Sequence, residues 1–392
     1  MHNQQVLFIC NTPFQVVTAV CIRMHFYGET DVDLIITDQI QGYKEIALKA
    51  EKTGVFRHVD CAEVSDFNAY RGEENRRPET IPEKLRSGLS RKKRLKQLYC
   101  DNIINYSDIF LFNWDRFTVM LFEYLWRQNR RLSVHLYEEG ITSYEHILLP
   151  YQCTREYAEN MPIYKKAIRR LLRFPDLYRS IRDVYVFQPE MLDRSFPLPA
   201  LRIPQLSSGQ KGVNQALFAI FDCEKAEEYL NSDVIFFEES YVQDGVPVDY
   251  GSIMERLTEF ISKDRILIKR HPRSRDEVFE QMGLRVNALQ HVPWEIIVLR
   301  HPELCEKIWI SICCSSMICP YYYLGMKTNS VFLFEMTGFR PDEKTAEYFD
   351  HVREKLLEPY PEVFMIPQTA AQLTAYYTQK LNQQNKEDQN NA

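Results

Sequence analysis

The chain has 392 residues, 45% of them hydrophobic and 26% charged, a profile typical of a soluble globular protein with room for two domains. Its formal net charge of -6 argues against wholesale binding of nucleic acid. The ten cysteines show neither a C-x-x-C pair nor zinc spacing, so we expect free thiols in a reducing compartment. The sequence has no signal peptide pattern and no apolar run of about 20 residues, so we expect neither secretion nor a membrane span.

The first predicted elements are a buried strand over residues 5–11 and a helix that follows it directly. Thr12 suits the N-cap of that helix and Pro13 its first position. A loop between a parallel strand and its helix faces the ligand side of a sheet, so Asn11, Thr12 and Gln15 are candidate ligand contacts. Capping alone would also explain Thr12. The loop has no glycine-rich fingerprint, which argues against a nicotinamide or P-loop site.

Asp31 and Asp33 form a D-x-D pattern, which holds a metal ion in some sugar transferases. Here the pair precedes the strand predicted over residues 33–37 and so lies at the edge of the sheet away from ligands. We therefore expect a capping role for these aspartates and predict no metal site.

Two stretches rich in lysine and arginine, 84–97 and 165–182, are predicted to be helical. A basic amphipathic helix can lie on an anionic membrane surface. An ordinary solvated helix has a similar composition, so the sequence leaves both interpretations open.

A predicted strand runs into Glu138, Glu139 and Gly140. Neighbouring strand residues point to opposite faces, so one of the two glutamates can enter a cleft while the other turns away. Partial burial would raise the pKa of a glutamate there and suit it to act as a general base. Gly140 permits a sharp turn, and an exposed acidic turn is the alternative. We expect His135 and His146 to be packing or surface residues.

Residues 188–212 contain four prolines and several polar residues, which indicates a domain boundary. The predicted division is an N-terminal domain over 1–190 that carries the acidic base, a linker over 191–212, a C-terminal domain over 213–375 that binds the nucleotide donor, and a helix end with a disordered tail over 376–392.

In the second half, a short apolar strand over residues 266–268 leads to His271 and Pro272. The proline disfavours the helical region for His271 and holds it extended just beyond the strand. Three neighbouring cations favour an anion site there, with phosphate as the expected ligand, and a solvated basic turn is the alternative. These cations are Lys269, Arg270 and Arg273.

Another buried strand, over residues 307–314, is followed by Ser315 and Ser316 and then by a short helical run. Hydroxyls beside free backbone N–H groups can bind phosphate, and plain capping is compatible with that role. The dipeptide His301-Pro302 repeats the earlier one but follows a helical segment, so we do not assign it to the site.

Both halves alternate strands with helices, which predicts two parallel-sheet domains that face each other across a cleft. A carboxylate from the first domain and a phosphate site in the second fit transfer of a group from a nucleotide-activated donor. The carboxylate would accept a proton from an acceptor hydroxyl, while the histidine and serines stabilise charge on the leaving phosphate.

Three motifs of the chain resemble those of bacterial sialyltransferases. In sequence order they are the acidic D/E-D/E-G motif at Glu138-Glu139-Gly140, the HP motif at His271-Pro272 and the serine motif at Ser315-Ser316. The opening LFICNTPFQ resembles the N-terminus of the lipooligosaccharide sialyltransferase and capsular polysialyltransferase group.

This resemblance implies a GT-B fold with two Rossmann-like domains and an inverting transfer of sialic acid from CMP-sialic acid, with no cofactor and no metal. It implies that Glu139 is the base, that His271 is the acid or phosphate partner, and that Ser315 and Ser316 bind phosphate. Glutamate at both acidic positions is a departure if aspartate is the commoner base. The expected acceptor is a hydroxyl of a cell-surface glycan or glycolipid, either lipooligosaccharide or capsular polysaccharide.

The expected location is the cytoplasm, where nucleotide donors are made, with peripheral contact at the inner face of an anionic membrane. The oligomeric state stays open, a homodimer included. Three alternatives also remain: a transferase that uses CMP-Kdo or another nucleotide sugar, a nucleotide-sugar epimerase of the same two-domain shape, and a non-catalytic module of capsule assembly.

Overall fold

The computed structural model describes residues 5–64, 106–141, 143–171, 173–287, 289 and 291–391. The chain divides into two compact units, Met1–Gln205 with Gly209–Phe221, and Leu206–Ser208 with Asp222–Ala392. The predicted basic stretch 84–97 lies outside the described residues.

The first unit is built on seven strands. They are β1 (Gln5–Cys10), β2 (Asp31–Thr37), β3 (His58–Ala62), β4 (Asp108–Leu111), β5 (Ser133–Tyr137), β6 (Ile181–Val186) and β7 (Ala200–Arg202). Its helices are α1 (Pro13–Phe26), α2 (Tyr43–Lys52), α3 (Arg116–Gln128), α4 (Ser143–His146), α5 (Leu149–Asn160), α6 (Ile163–Leu171), α7 (Leu177–Ser180) and α8 (Lys211–Ile220).

The second unit has six strands. They are β8 (Val234–Phe237), β9 (Ile266–Lys269), β10 (Arg285–Asn287), β11 (Ile308–Ser311), β12 (Asn329–Phe332) and β13 (Phe364–Met365). Its helices are α9 (Glu227–Leu230), α10 (Tyr250–Thr258), α11 (Val278–Gln281), α12 (Trp294–Arg300), α13 (Cys319–Leu324), α14 (Phe334–Thr337), α15 (Glu343–Val352) and α16 (Ala370–Asn391).

Every strand pair in the two sheets is parallel. The strand orders are β3-β2-β1-β4-β5-β6-β7 and β10-β9-β8-β11-β12-β13. In chain order both sheets start as 3-2-1-4-5-6, the doubly wound Rossmann arrangement, which confirms the prediction of two Rossmann-like parallel-sheet domains. Strands such as β4 and β11 are buried along their whole length, as apolar runs covered on both faces should be.

In each sheet the chain winds outward in both directions from a central strand pair. The reversals fall between β1 and β4 in the first sheet and between β8 and β11 in the second. Ligands of open α/β sheets bind beyond the carboxyl ends of the strands beside such a reversal. The candidate residues follow β1, β8 and β11, which flank the reversals, and β5 and β9, which lie one strand further out.

The predicted division into domains differs from these units in two places. The segment predicted as a linker, 191–212, contains β7, which pairs with β6 and extends the first sheet. Helix α8, most of which was predicted to open the second domain at 213, packs on α1 and α2 and belongs to the first unit. The region 376–392 was predicted to hold the end of the last helix and a disordered tail, but α16 continues to Asn391.

The two aspartates of the D-x-D pattern lie at the start of β2 and form ion pairs with Arg57. Arg57 Nη1 lies 3.0 Å from Asp31 Oδ2, and Arg57 Nε donates to Asp33 Oδ1 at 2.9 Å. Tyr106 Oη also donates to Asp33, at 2.6 Å. The two aspartates therefore share one arginine in ion pairs rather than acting as caps. No metal-binding cluster occurs in the described part of the chain.

His135 is a buried packing histidine. Its Nε2 lies 2.9 Å from Asp108 Oδ1 and its Nδ1 contacts Asp183, while the ring stacks on Phe110. Burial alone would lower the pKa of His135, but the hydrogen bonds to the two aspartates outweigh it and raise the pKa. His146 is exposed beside Glu145, so neither histidine lies at a candidate site.

Of the ten cysteines, the nine that are described are free thiols. Among the described helices, none combines the length and the apolar character that crossing a bilayer requires.

Candidate active site

Glu138 and Glu139 follow β5, and their surroundings distinguish them. Glu138 is fully buried, and its carboxylate accepts hydrogen bonds from Phe187 N and Tyr144 Oη, both at 2.7 Å. These bonds join the end of β5 to the segment after β6. Glu138 is therefore a structural carboxylate that satisfies a buried backbone N–H group.

Glu139 has the character of a base. The residue is half-buried, and among the described residues none donates a hydrogen bond to its carboxylate. Burial raises the pKa of Glu139 to about 7. The structure thus separates the two glutamates that strand alternation left equivalent, and Glu139 carries the uncommitted carboxylate.

The turn after Glu139 is fixed by Gly140 and Ser143. Gly140 has φ +152°, a conformation that other residues rarely adopt, although a Cβ there would meet nothing within 4 Å. Ser143 Oγ accepts hydrogen bonds from Glu139 N at 3.0 Å and Gly140 N at 2.8 Å, and donates to Gly140 O. Sequence reasoning did not identify Ser143; a serine that begins the helix after the acidic turn is the signal that could have found it.

The residues after β1 mainly cap the N-terminus of α1. Thr12 and Gln15 form a capping box, with Gln15 N donating to Thr12 Oγ1 and Thr12 N to Gln15 Oε1, both at 3.2 Å. Asn11 Oδ1 accepts a hydrogen bond from Thr37 Oγ1 at 2.8 Å. Gln15 Nε2 is buried without a hydrogen-bond partner among the described residues. The amide nitrogen of Gln15 is therefore a polar group that could meet a ligand.

In the second unit, His271 follows β9 in a tight turn. His271 O accepts a hydrogen bond from Ser274 N at 3.0 Å, which places Pro272 at a turn position that proline favours. His271 Nδ1 accepts a hydrogen bond from Arg273 N at 3.2 Å, so the proton of the neutral ring is assigned to Nε2. Burial, together with the charges of Arg273 and Lys269, lowers the pKa of His271 to about 4. The residue is therefore a neutral hydrogen-bond donor at neutral pH.

The three cations beside His271 do not form one anion site. Arg270 pairs with Glu280, and Arg273 binds Asp244 through two hydrogen bonds of 2.9 and 3.0 Å. Lys269 is buried, and burial lowers its pKa although the nearby Glu295 acts in the opposite direction. Its ammonium forms no salt bridge within the described residues, so its charge, unlike those of Arg270 and Arg273, is not already paired there.

Ser315 and Ser316 lie on a single 3-10 turn, Ser315–Met317, that follows β11. Both serines are partly exposed. The helix after them, α13, has only six residues, so the predicted helix N-terminus is weaker than the sequence indicated. Cys314 N donates to Ser311 Oγ at 2.8 Å, which shapes the start of this turn.

Two further glutamates, Glu238 and Glu239, connect the histidine turn to the serine turn. Glu238 accepts hydrogen bonds from His271 N at 3.0 Å and Ser274 Oγ at 2.6 Å. Glu239 accepts from Cys313 N at 2.9 Å and from Tyr250 Oη at 3.0 Å. Because β8 lies between β9 and β11, the residues after it reach both neighbouring loops. Burial raises the pKa of Glu239 to about 7 in spite of these bonds.

Sequence reasoning missed Glu238 and Glu239, although the pattern that indicates them is present in the sequence. A second Glu-Glu dipeptide directly follows a buried apolar strand, as Glu138-Glu139 does in the first unit. By contrast, His301 ends α12 with its ring beside Glu303 and takes no part in the site.

The family model for alpha-2,8-polysialyltransferase (POLYST) matches residues 6–332. Among solved structures, an Arabidopsis thaliana UGT protein in complex with UDP shares 9% identity, covering 96% of this chain and 90% of its own, with a TM-score of 0.49. A UDP-GlcNAc 2-epimerase from Methanocaldococcus jannaschii shares 11% identity, covering 97% and 92%, with a TM-score of 0.47. Among curated proteins no match is found.

The family match spans β1 to β12 and includes Glu139, His271 and both serines. The chain belongs to the alpha-2,8-polysialyltransferase family. It is a glycosyltransferase, as the three motifs indicated.

Proposed function

We propose that the protein transfers sialic acid from CMP-sialic acid to a hydroxyl group of a glycan acceptor, with inversion at the anomeric carbon. The observation that carries this proposal is Glu139, a half-buried carboxylate without a partner among the described residues and with a pKa near 7. A general base is most effective when its pKa lies near the working pH.

In the proposed step, Glu139 accepts the proton of the acceptor hydroxyl while the oxygen attacks the anomeric carbon. The bond from that carbon to the CMP phosphate oxygen breaks on the opposite side, so configuration inverts through an oxocarbenium-like transition state. Because burial raises the pKa of Glu139 to about 7, ionised carboxylate able to accept a proton is present at neutral pH.

The leaving phosphate needs donors and positive charge. His271 can donate its Nε2 proton in a hydrogen bond without first being protonated, and Lys269 supplies a cation. The hydroxyls of Ser315 and Ser316 are the further candidate donors, and Pro272 holds the turn that carries His271. Preorganised donors of this kind stabilise developing charge in place of a metal ion, so we expect transfer to continue in the presence of a chelator.

The acceptor is proposed from the family description, which specifies an alpha-2,8 linkage between sialic acids. A glycan that ends in sialic acid is accordingly the first acceptor to test, and a galactose-terminated lipooligosaccharide is the second. We place the reaction in the cytoplasm, where a nucleotide donor is made.

A donor screen that measures nucleotide release tests the proposal. Released CMP should appear only when CMP-sialic acid and a sialic-acid-terminated or galactose-terminated acceptor are both present. Glu139→Gln should lower kcat at least 100-fold, because it removes the base, and His271→Ala should lower kcat to a similar degree. Conversion of a nucleotide sugar without acceptor would instead indicate an epimerase, and full activity in both variants would contradict the assigned roles.

A further inference from the structure

Helix α6 presents its apolar residues to solvent. Ile163 is 86% exposed, Leu171 82%, Tyr164 63% and Ile168 51%. Tyr164, Ile168 and Leu171 follow one another at spacings of four and three positions, so they share one side of the helix, and Ile163 borders that side. An ordinary surface helix of a globular protein turns its apolar side inward, and α6 does the reverse.

The basic side of α6 attaches the helix to the rest of the unit. Arg169 lies 3.8 Å from Glu123 and 3.6 Å from Asp176, and its guanidinium lies over the ring of Phe174. Lys166 Nζ donates to Glu159 O at 2.6 Å. Rotation that buried the apolar residues would break these contacts, so the outward orientation is a fixed property of the packing.

Lysines and arginines of the same segment border the exposed apolar side. Residues 161–175 contain five lysines and arginines and no acidic residue, in a chain whose net charge is -6. Lys165, Arg170 and Arg173 of this segment are exposed. Apolar side chains bordered by cations match the layered chemistry of a lipid surface, where acyl chains lie beneath anionic headgroups.

We infer that α6 docks on an anionic lipid surface, with Ile163, Tyr164, Ile168 and Leu171 inserted among the acyl chains and the neighbouring cations at the headgroups. A second copy of the chain would bring an identical positive surface against this one, and the two would repel. An anionic membrane supplies both the apolar cover and the opposite charge.

Vesicle flotation with the full chain tests this surface. Binding to vesicles that contain phosphatidylglycerol should exceed binding to pure phosphatidylcholine about tenfold or more, and should weaken as salt rises from 0.05 to 0.5 M. Ile163→Ser/Leu171→Ser should lower the partition coefficient about tenfold or more, because it removes inserted apolar surface. Lys165→Glu/Arg170→Glu should lower it to a similar extent and remove most of the salt dependence.

Matched controls come from α2, where Leu48 is 51% exposed and Lys44 and Lys52 are exposed. Leu48→Ser and Lys44→Glu/Lys52→Glu should leave vesicle binding unchanged. Equal binding by all variants, or equal binding to neutral and anionic vesicles, would overturn the inference. So would a dimer in solution that Ile163→Ser/Leu171→Ser dissociates. Vesicle binding needs neither donor nor acceptor, so it is read independently of any transferase reaction.

Discussion

The carboxylate of Glu138 accepts two hydrogen bonds from buried donors, whereas that of Glu139 lies half-buried without one from the described residues. Strand alternation predicted that the two glutamates would differ but not which of them would be held by hydrogen bonds. That depends on Phe187 N and Tyr144, which lie 49 and 6 positions from Glu138 in the sequence. Such contacts depend on the packing of β5 against β6, which no local pattern encodes.

Replacing Glu139 should stabilise the fold above neutral pH. Burial raises its pKa from 4.5 to about 7, so between these values the unfolded chain ionises while the native carboxylate resists, and native stability falls. Glu139→Gln removes this penalty. We expect its free energy of unfolding to exceed that of the original chain by about 1–2 kcal/mol at pH 8 and to match it below pH 4.5.

Urea unfolding at pH 4 and pH 8 measures this difference. Glu138→Ala is the matched control, because it leaves Phe187 N and Tyr144 Oη without their acceptor and should cost about 2–4 kcal/mol at both pH values. Equal stability of Glu139→Gln and the original chain at pH 8 would mean that the Glu139 carboxylate is well solvated.

The neutral state of His271 depends partly on Arg273. Burial is the largest cause of the low pKa of His271, and the charge of Arg273 is the next. Arg273→Gln removes that charge and leaves Asp244 without its bidentate partner, so the pKa of His271 should rise from about 4 towards its ordinary value. An NMR titration of the imidazole measures the change, with Arg256→Gln on α10 as a control that should have no effect.

At the scale of elements, the short β8 organises the second site, because the two glutamates after it hold the turns that follow β9 and β11. Glu239→Ala should free the serine turn and raise KM for the donor about tenfold, with a smaller change in kcat, since Glu239 positions other residues. Asp249→Ala provides a control that also loses a local hydrogen bond, because Asp249 caps α10 through Ser252 N and holds neither turn. If both variants raise the KM for the donor equally, Glu239 stabilises the fold in general and does not position the serine turn.

The elements that the sequence predicts well are those with strong local signals. Buried apolar runs such as β1 and β11, and the Thr12-Pro13 start of α1, require only neighbouring residues for their recognition. Strand β7 was missed, because three residues within a proline-rich segment carry no pattern that distinguishes them from a linker.

Long-range pairing explains the remaining differences at the site. The cations at Arg270 and Arg273 suggested a phosphate site, but their partners, Glu280 and Asp244, are 10 and 29 positions away in the sequence. A row of charges in the sequence does not reveal which of them are already neutralised in the fold. The sequence therefore located the turn that carries His271 but overstated the free positive charge around it.

For the whole molecule, the position of α8 sets where the first unit ends. Val213, Leu217 and Ile220 are buried in that unit. A fragment of residues 1–221 should therefore unfold cooperatively, and a fragment of residues 1–212 should be less stable by at least about 3 kcal/mol. Thermal unfolding of the two fragments measures this, and equal stability would show that α8 contributes nothing to the first unit.

Helix α6 also has a consequence for encounter rates. An enzyme bound to a membrane surface meets lipid-linked acceptors in two dimensions. Its reaction rate then depends on the surface density of the acceptor rather than on its bulk concentration. Diluting such an acceptor with inert lipid should then slow the reaction even when the total amount of every reactant stays constant.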